Sequence, residues 1–161
     1  MTLNKIFNNT LLLISACLIL TACATQKTVT TGAQMQGDVY TGTDTVKELA
    51  PGVPDRVFFA TNESILTTAS RETLRKQAEY LRKNSSMNIV VEGHADERGT
   101  REYNLALGER RANAAKDYLM TYGISASRIS VISYGKERPV DSGSNTLAWS
   151  KNRRSVTVKA N

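Results

Sequence analysis

Gly93-His94-Ala95-Asp96-Glu97-Arg98-Gly99-Thr100, continuing as Arg101-Glu-Tyr-Asn104-Leu-Ala-Leu107-Gly-Glu-Arg110-Arg111-Ala112, is the stretch on which the fold turns. It follows Met87-Asn-Ile-Val-Val-Glu92, an apolar, β-branched run that reads as a largely buried strand over 87–93. Past it, Thr100 is a good N-cap, Glu102 suits the helix dipole and Gly123 is a stop, which predicts a helix over 101–122. A charged segment between the end of a buried strand and the start of a helix is where α/β folds commonly bind ligands.

Outward from this junction, residues 56–59 read as a short buried strand, rich in β-formers. Residues 67–83 read as a helix: Leu74, Ala78 and Leu81 fall at i, i+4 and i+7, Thr68 or Ser70 can cap the start, and Asn84-Ser-Ser86 ends it. Residues 128–134 form a third strand, and 147–149 belong to a short helical turn. Residues 154–159 alternate as a last strand with Val156 and Val158 inward. The order βαβαβ(α)β predicts an α+β two-layer sandwich, a mixed four-stranded sheet with two main helices on one face. If the first two strands are parallel, their crossover is right-handed.

Projection of the second helix puts Leu107, Arg111, Ala115, Tyr118 and Tyr122 on one apolar face. Arg111 therefore points coreward, whereas Arg110, about 100° round, groups with Asn113 and Asp117 on the wet side. A core-facing arginine needs an anion, because an unpaired buried charge costs several kcal/mol. Asp96 is the nearest candidate in the motif, and Asn104 lies on the same side of the helix. Two readings stand at this point. Asp96 and Arg111 form a structural bridge, or they form a half-open pair completed by a ligand carrying both an ammonium and a carboxylate.

The chain has 161 residues, 40% hydrophobic and 22% charged, which suits one folded domain with an appendage and excludes full disorder. Two cysteines and one histidine exclude a disulfide scaffold and a zinc site made from those residues. The net charge of +6 resides in 55–161, with 18 basic and 12 acidic side chains. Arg82-Lys83 and Arg153-Arg154 read as ordinary solvated charges. No Gly-x-Ser-x-Gly, phosphate loop or dinucleotide motif occurs, and nothing places a nucleophile beside His94. Neither an enzyme nor a cofactor is expected.

The N-terminus reads as an export signal. Lys5 is followed by the apolar run 11–20, which is too short for the roughly 20 residues of a membrane-spanning helix. Leu20-Thr21-Ala22-Cys23 resembles the bacterial lipobox, whose cysteine is acylated and becomes the mature N-terminus; Ala22-Cys23-Ala24 also fits an ordinary A-x-A cleavage site. The organisation expected is a leader at 1–22, lipidated Cys23 with a flexible Thr/Gly/Gln-rich tether over 23–54, and a domain at 55–161. Ala24 after the cysteine, where lipoproteins retained at the inner membrane usually have Asp, implies the outer membrane of a Gram-negative bacterium. An exported chain meets little nucleic acid, so no nucleic-acid partner is expected.

The segment from His94 to Ala112, then Ser133-Tyr-Gly-Lys-Glu-Arg-Pro139, then Ser150-Lys-Asn-Arg-Arg154, resembles the OmpA-like peptidoglycan-binding domain over roughly residues 55–159. With the leader, Asp96-Glu-Arg-Gly-Thr100 narrows the resemblance to the peptidoglycan-associated lipoproteins of the Tol-Pal system. The resemblance implies non-covalent binding of the meso-diaminopimelate residue of the peptidoglycan stem peptide, with Asp96 and Arg111 holding it. Asn104, and Thr61 and Asn62 in the loop after the first strand, fall at the same site, and the resemblance makes Arg153-Arg154 a structural feature of the last strand. It further implies TolB and the Tol complex as partners, and a role in holding the envelope layers together during division. An OmpA-like lipoprotein outside the Tol system and a wall-degrading hydrolase are the alternatives. Two positions depart from the family pattern: Asn62 stands near a usual Asp, and Ala95 replaces a common Thr.

Overall fold

The computed structural model describes residues 35–160. Two small antiparallel hairpins come first, β1 (Met35–Gln36) with β2 (Val39–Tyr40), and β3 (Glu48–Ala50) with β4 (Val53–Pro54). There follow β5 (Arg56–Phe58), α1 (Thr68–Lys83), β6 (Ile89–His94), α2 (Arg101–Thr121), a 3₁₀ turn (Ala126–Arg128), β7 (Ile129–Gly135), α3 (Thr146–Asn152) and β8 (Arg154–Lys159). The last four strands to form one sheet are ordered β5-β8-β6-β7, with β6 and β7 parallel and β8 antiparallel to both β5 and β6. This is the expected mixed α+β sheet.

Local chemistry sets the helix starts. The Thr67 hydroxyl accepts from the Ser70 amide at 3.1 Å, Thr100 from Tyr103 at 3.2 Å, and Asn145 from Ala148 at 3.0 Å, each satisfying a backbone donor the first turn leaves open. The apolar faces of α1 (Leu74, Ala78, Leu81) and α2 (Ala112, Ala115, Leu119) close over Val57, Phe59, Ile89, Val91 and Ile129 in one core. α2 lies close on β6 through a glycine pair. A Cβ on Gly93 would stand 1.8 Å from the Gly108 carbonyl oxygen, so only glycine permits the approach. That contact delivers Arg111, one turn on from Gly108, beneath the end of β6.

Two expectations are corrected. The flexible tether does not extend to residue 54: residues 35–54 are packed hairpins, with Tyr40 at 2% and Leu49 at 7% exposure. Tyr40 meets Phe58 edge-on at 4.8 Å, the Asp55 amide donates to the Lys47 carbonyl and the Lys47 amide to the Asp55 carboxylate, so aromatic burial and local hydrogen bonds supply what the polar composition hides. Val156 and Val158 do not face the helices. Thr157 does, bonding Gln77 of α1 at 2.8 Å, while the valines line the opposite face with Arg56 and His94. An interior strand is covered on both sides, so alternation alone does not say which side the helices take. The leader, Cys23 and residues 24–34 lie outside the described residues.

Candidate binding site

The site gathers at the C-terminal end of β6, between the loop 95–100, the turn 60–63 and the entry to β8. Asn62 has a positive φ of 58°, a backbone state that asparagine tolerates better than most residues. The Glu63 amide closes this turn on the Ala60 carbonyl at 3.2 Å, and the Thr61 amide is left pointing into the site. The loop 95–100 is fastened from several sides. The Ala95 amide donates to Gly135, the Lys136 ammonium to the Glu97 and Gly99 carbonyls, and the Trp149 indole to the Glu97 carboxylate. Asn104, 2% exposed, donates to the Arg98 carbonyl at 2.8 Å.

Arg111 is coreward and fully buried, and Arg110 is exposed, as the helical projection requires. The direct Asp96–Arg111 bridge is not formed. Arg111 instead donates to three carbonyls, Glu63 at 2.8 Å, His94 at 2.9 Å and Ala60 at 3.0 Å. Its guanidinium thus pins the turn 60–63 to the end of β6. Burial, and then the charge of Arg153, lower its pKa to about 10, so it stays charged at neutral pH. Backbone oxygens reach it first because the turn after β5 folds over the α2 face.

Asp96, 7% exposed, finds its cations elsewhere. Arg98 of its own loop chelates it, with Nε on Oδ1 at 3.1 Å and Nη2 on Oδ2 at 2.6 Å, and the Arg98 amide adds a third bond. Arg153 approaches at 3.4 Å. Burial pulls the Asp96 carboxyl upward, but the Arg98 bonds and Arg153 outweigh it and hold the group below its ordinary value. Arg98 stays on the surface, its side chain 42% exposed and stacked 4.3 Å from the Trp149 ring centroid, with a reach to the Thr61 hydroxyl at 3.3 Å.

Arg153 and Arg154 are not solvated charges: they are 2% and 6% exposed. Arg153 donates to the Phe59 carbonyl at 3.1 Å and pairs with Asp38 at 2.7 Å as well as touching Asp96. The Asp38 carboxylate also accepts the Thr61 amide at 2.5 Å. Of the residues expected at the site, Asp96 and Thr61 are joined through Arg98, Arg111 and Asn104 brace the surrounding loops, and Asn62 shapes the turn. Sequence reasoning missed Asp38, Arg98 and Arg153. For Asp38 a signal existed in Gly37-Asp38 ahead of Val39-Tyr40, a two-residue hairpin pattern. Among the described residues no group of three or more His, Cys, Asp or Glu could hold a metal ion, and no helix is long and apolar enough to cross a membrane.

Residues 58–153 match the OmpA family. A peptidoglycan-associated lipoprotein of Mesorhizobium japonicum is 43% identical over 94% of this chain and 91% of its own. The crystal structure of the peptidoglycan-associated lipoprotein from Burkholderia pseudomallei superposes with a TM-score of 0.64 at 35% identity, covering 66% of this chain and 90% of that one. The cell wall anchor of the type VI secretion system (T6SS) from Pseudomonas aeruginosa is similar at a TM-score of 0.55 and 28% identity, over 66% of this chain and 80% of its own.

Proposed function

The chain belongs to the OmpA family and, within it, to the peptidoglycan-associated lipoproteins, and on that footing we propose that it tethers the outer membrane to the cell wall. In this reading Cys23 carries the lipid that holds one end in the outer membrane. The domain binds peptidoglycan non-covalently, through the diaminopimelate of the stem peptide, and carries out no catalysis. The proposal extends to TolB and the Tol complex as partners and to envelope integrity during division. Many weak wall contacts suffice because anchoring raises the local concentration.

One observation carries the reading of the site. A buried acid, Asp96, lies 3.4 Å from the Arg153 guanidinium, and Arg153 together with the Thr61 amide already holds a carboxylate, that of Asp38. The tip of diaminopimelate holds an ammonium and a carboxylate on one carbon. Asp96 takes the ammonium once the exposed Arg98 side chain swings aside, and the carboxylate meets Thr61 and Arg153. Arg111 acts as a positioning residue, since its three bonds keep the turn 60–63, and with it the Thr61 amide, aimed at the ligand. Asn104 does the same for the loop 95–100, and Asn62 sets the turn.

Co-sedimentation with purified peptidoglycan tests this. Wild type sediments and releases no soluble fragments, Asp96→Ala and Arg111→Ala remain in the supernatant, and Arg110→Ala sediments nearly as well as wild type. Folded Asp96→Ala or Arg111→Ala protein that still sediments moves the site elsewhere, and released fragments replace the tether with a hydrolase. Cys23→Ser leaves the membrane fraction if the lipid is on that sulfur. Retention of TolB on immobilised wild-type protein separates a Tol-Pal component from an OmpA-like lipoprotein outside that system.

A further inference from the structure

The carboxylate that already occupies the Thr61 amide and Arg153 belongs to the chain itself. Gly37, with φ of 63°, makes the two-residue turn of the β1–β2 hairpin, and the next residue, Asp38, stands at its tip. One Asp38 oxygen accepts the Thr61 amide at 2.5 Å and the other pairs with Arg153 Nη2 at 2.7 Å, while the Asp38 carbonyl accepts the same Nη2. The site thus holds three guanidinium groups, Arg98, Arg111 and Arg153, against two carboxylates bonded to them, Asp96 and Asp38, with Glu97 acting on Arg98 from beyond hydrogen-bond distance. Removing Asp38 leaves Arg153 and the Thr61 amide without their bonded carboxylate, a deficit that an incoming carboxylate restores.

The hairpin is built to let go. It has two paired positions, Met35 with Tyr40 and Gln36 with Val39, and an isolated two-stranded hairpin is marginal in water. Its hold comes from Tyr40, buried on Phe58 beyond the tip, so Asp38 can leave while Tyr40 stays. The Asp38 side chain is 43% exposed, so solvent and ligand reach its outer side.

We infer that Asp38 is an internal competitor: it fills the carboxylate position of the wall-binding site in the free protein, and a ligand carboxylate must displace it. The inference rests on the site reading above and adds a regulator to it. A site closed for a fraction of the time binds with its intrinsic affinity divided by the reciprocal of the open fraction, so a strap closed nine-tenths of the time weakens binding about 10-fold.

The test uses the full chain in non-ionic detergent, as wild type, Asp38→Ala and Asp38→Asn. Binding of meso-diaminopimelate is followed by the fluorescence of Trp149, the chain's one tryptophan, which stacks on Arg98. Asp38→Ala binds about 3- to 10-fold more tightly than wild type, with Asp38→Asn between them because it keeps a hydrogen-bond acceptor without the charge. Equal or weaker binding by Asp38→Ala overturns the inference. A second arm replaces the ligand with acetate and follows the Thr61 amide by NMR. Acetate shifts that amide in Asp38→Ala and leaves it unmoved in wild type; no shift in the variant overturns the inference. If neither protein binds diaminopimelate but acetate enters the variant, the internal competitor stands and the diaminopimelate reading falls.

Discussion

The two faces of the sheet are closed by different means. Toward α1 and α2 the strands present Val57, Ile89, Val91 and Ile129, and the cover is mainly apolar, with the buried Thr157–Gln77 hydrogen bond inside it. Toward residues 44–55 they present Arg56, Glu92, His94 and Arg154 around a cavity of about 560 Å³. Here the fastening is ionic and aromatic. Asp55 chelates Arg56 at 2.8 and 2.7 Å with both side chains buried, Tyr40 rests on Phe58, and Arg154 bonds the Arg138 carbonyl at 3.1 Å. Apolar burial is non-directional and tolerates no vacancy. Ion pairs and hydrogen bonds are directional, can be exchanged for others, and allow a segment such as the β1–β2 hairpin to detach without unfolding the domain.

That contrast can be broken at several points. The largest effect belongs to the helix face. Leu74→Ala costs about 2–5 kcal/mol in urea unfolding, because a buried leucine leaves a cavity the surrounding core fills only in part. A loss confined to one region instead of the whole transition would remove the distinction.

Acid comes next, through the other face. His94 is 2% exposed, stacked 5.5 Å from Tyr134, and both its ring nitrogens lack a hydrogen-bond partner, with Glu92 Oε2 3.8 Å from Nε2. Burial, then the charges of Arg154, Arg56 and Arg138, lower its pKa to about 3. Between the ordinary value of 6.5 and about 3 the unfolded chain binds a proton the folded chain refuses. Stability is therefore complete above pH 6.5 and falls as the pH drops, by up to about 1.4 kcal/mol per pH unit. His94 is the one histidine, so its imidazole resonances report it directly; a midpoint near 6.5 in the folded protein contradicts the buried neutral ring. Asp38 and Asp96 act in another window. Partial burial raises both, hydrogen bonds and arginines outweigh it, and their stabilisation is present above 3.8 and lost as the pH falls through their depressed values.

A smaller global change follows Tyr40→Ala. The unfolding free energy moves by less than about 1 kcal/mol while residues 35–54 become cleavable by protease, since a segment can open below the global transition. Cooperative loss of the whole domain would instead make the N-terminal hairpins part of its core. Smallest is Arg75→Ala, which removes an exposed i,i+4 pair with Glu79 at 3.2 Å and costs about 0.3–0.5 kcal/mol, diminishing with salt.

Much of the architecture was legible because it rests on local rules. The cap at Thr100, the Leu74–Ala78–Leu81 stripe and the coreward turn of Arg111 all follow from periodicity and backbone chemistry within one helix, whereas the first helix is capped by Thr67, just ahead of the expected Thr68 or Ser70. What Arg111 touches did not follow. Its carbonyl acceptors lie 17, 48 and 51 residues away in the chain. The partners of Asp96 were similarly open, because Arg98, Arg111 and Arg153 are equal in charge and differ only in where the fold sets them. Residues 35–54 were misread because a segment held by Tyr40, Leu49, the ion pairs of Asp38 and Asp44 and a few hydrogen bonds has the composition of a linker.

By itself the sequence determined the α+β sandwich, its two principal helices and the junction at which its polar residues collect, since each depends on spacing along one element. Only the tertiary structure decided that Arg111 braces backbone, that Arg153 is buried beside Asp96, and that Asp38 reaches the site. Electrostatic pairing falls off with distance in space, and the distance between Asp38 and Arg153, 115 residues apart in the chain, is set by the packing of the whole sheet.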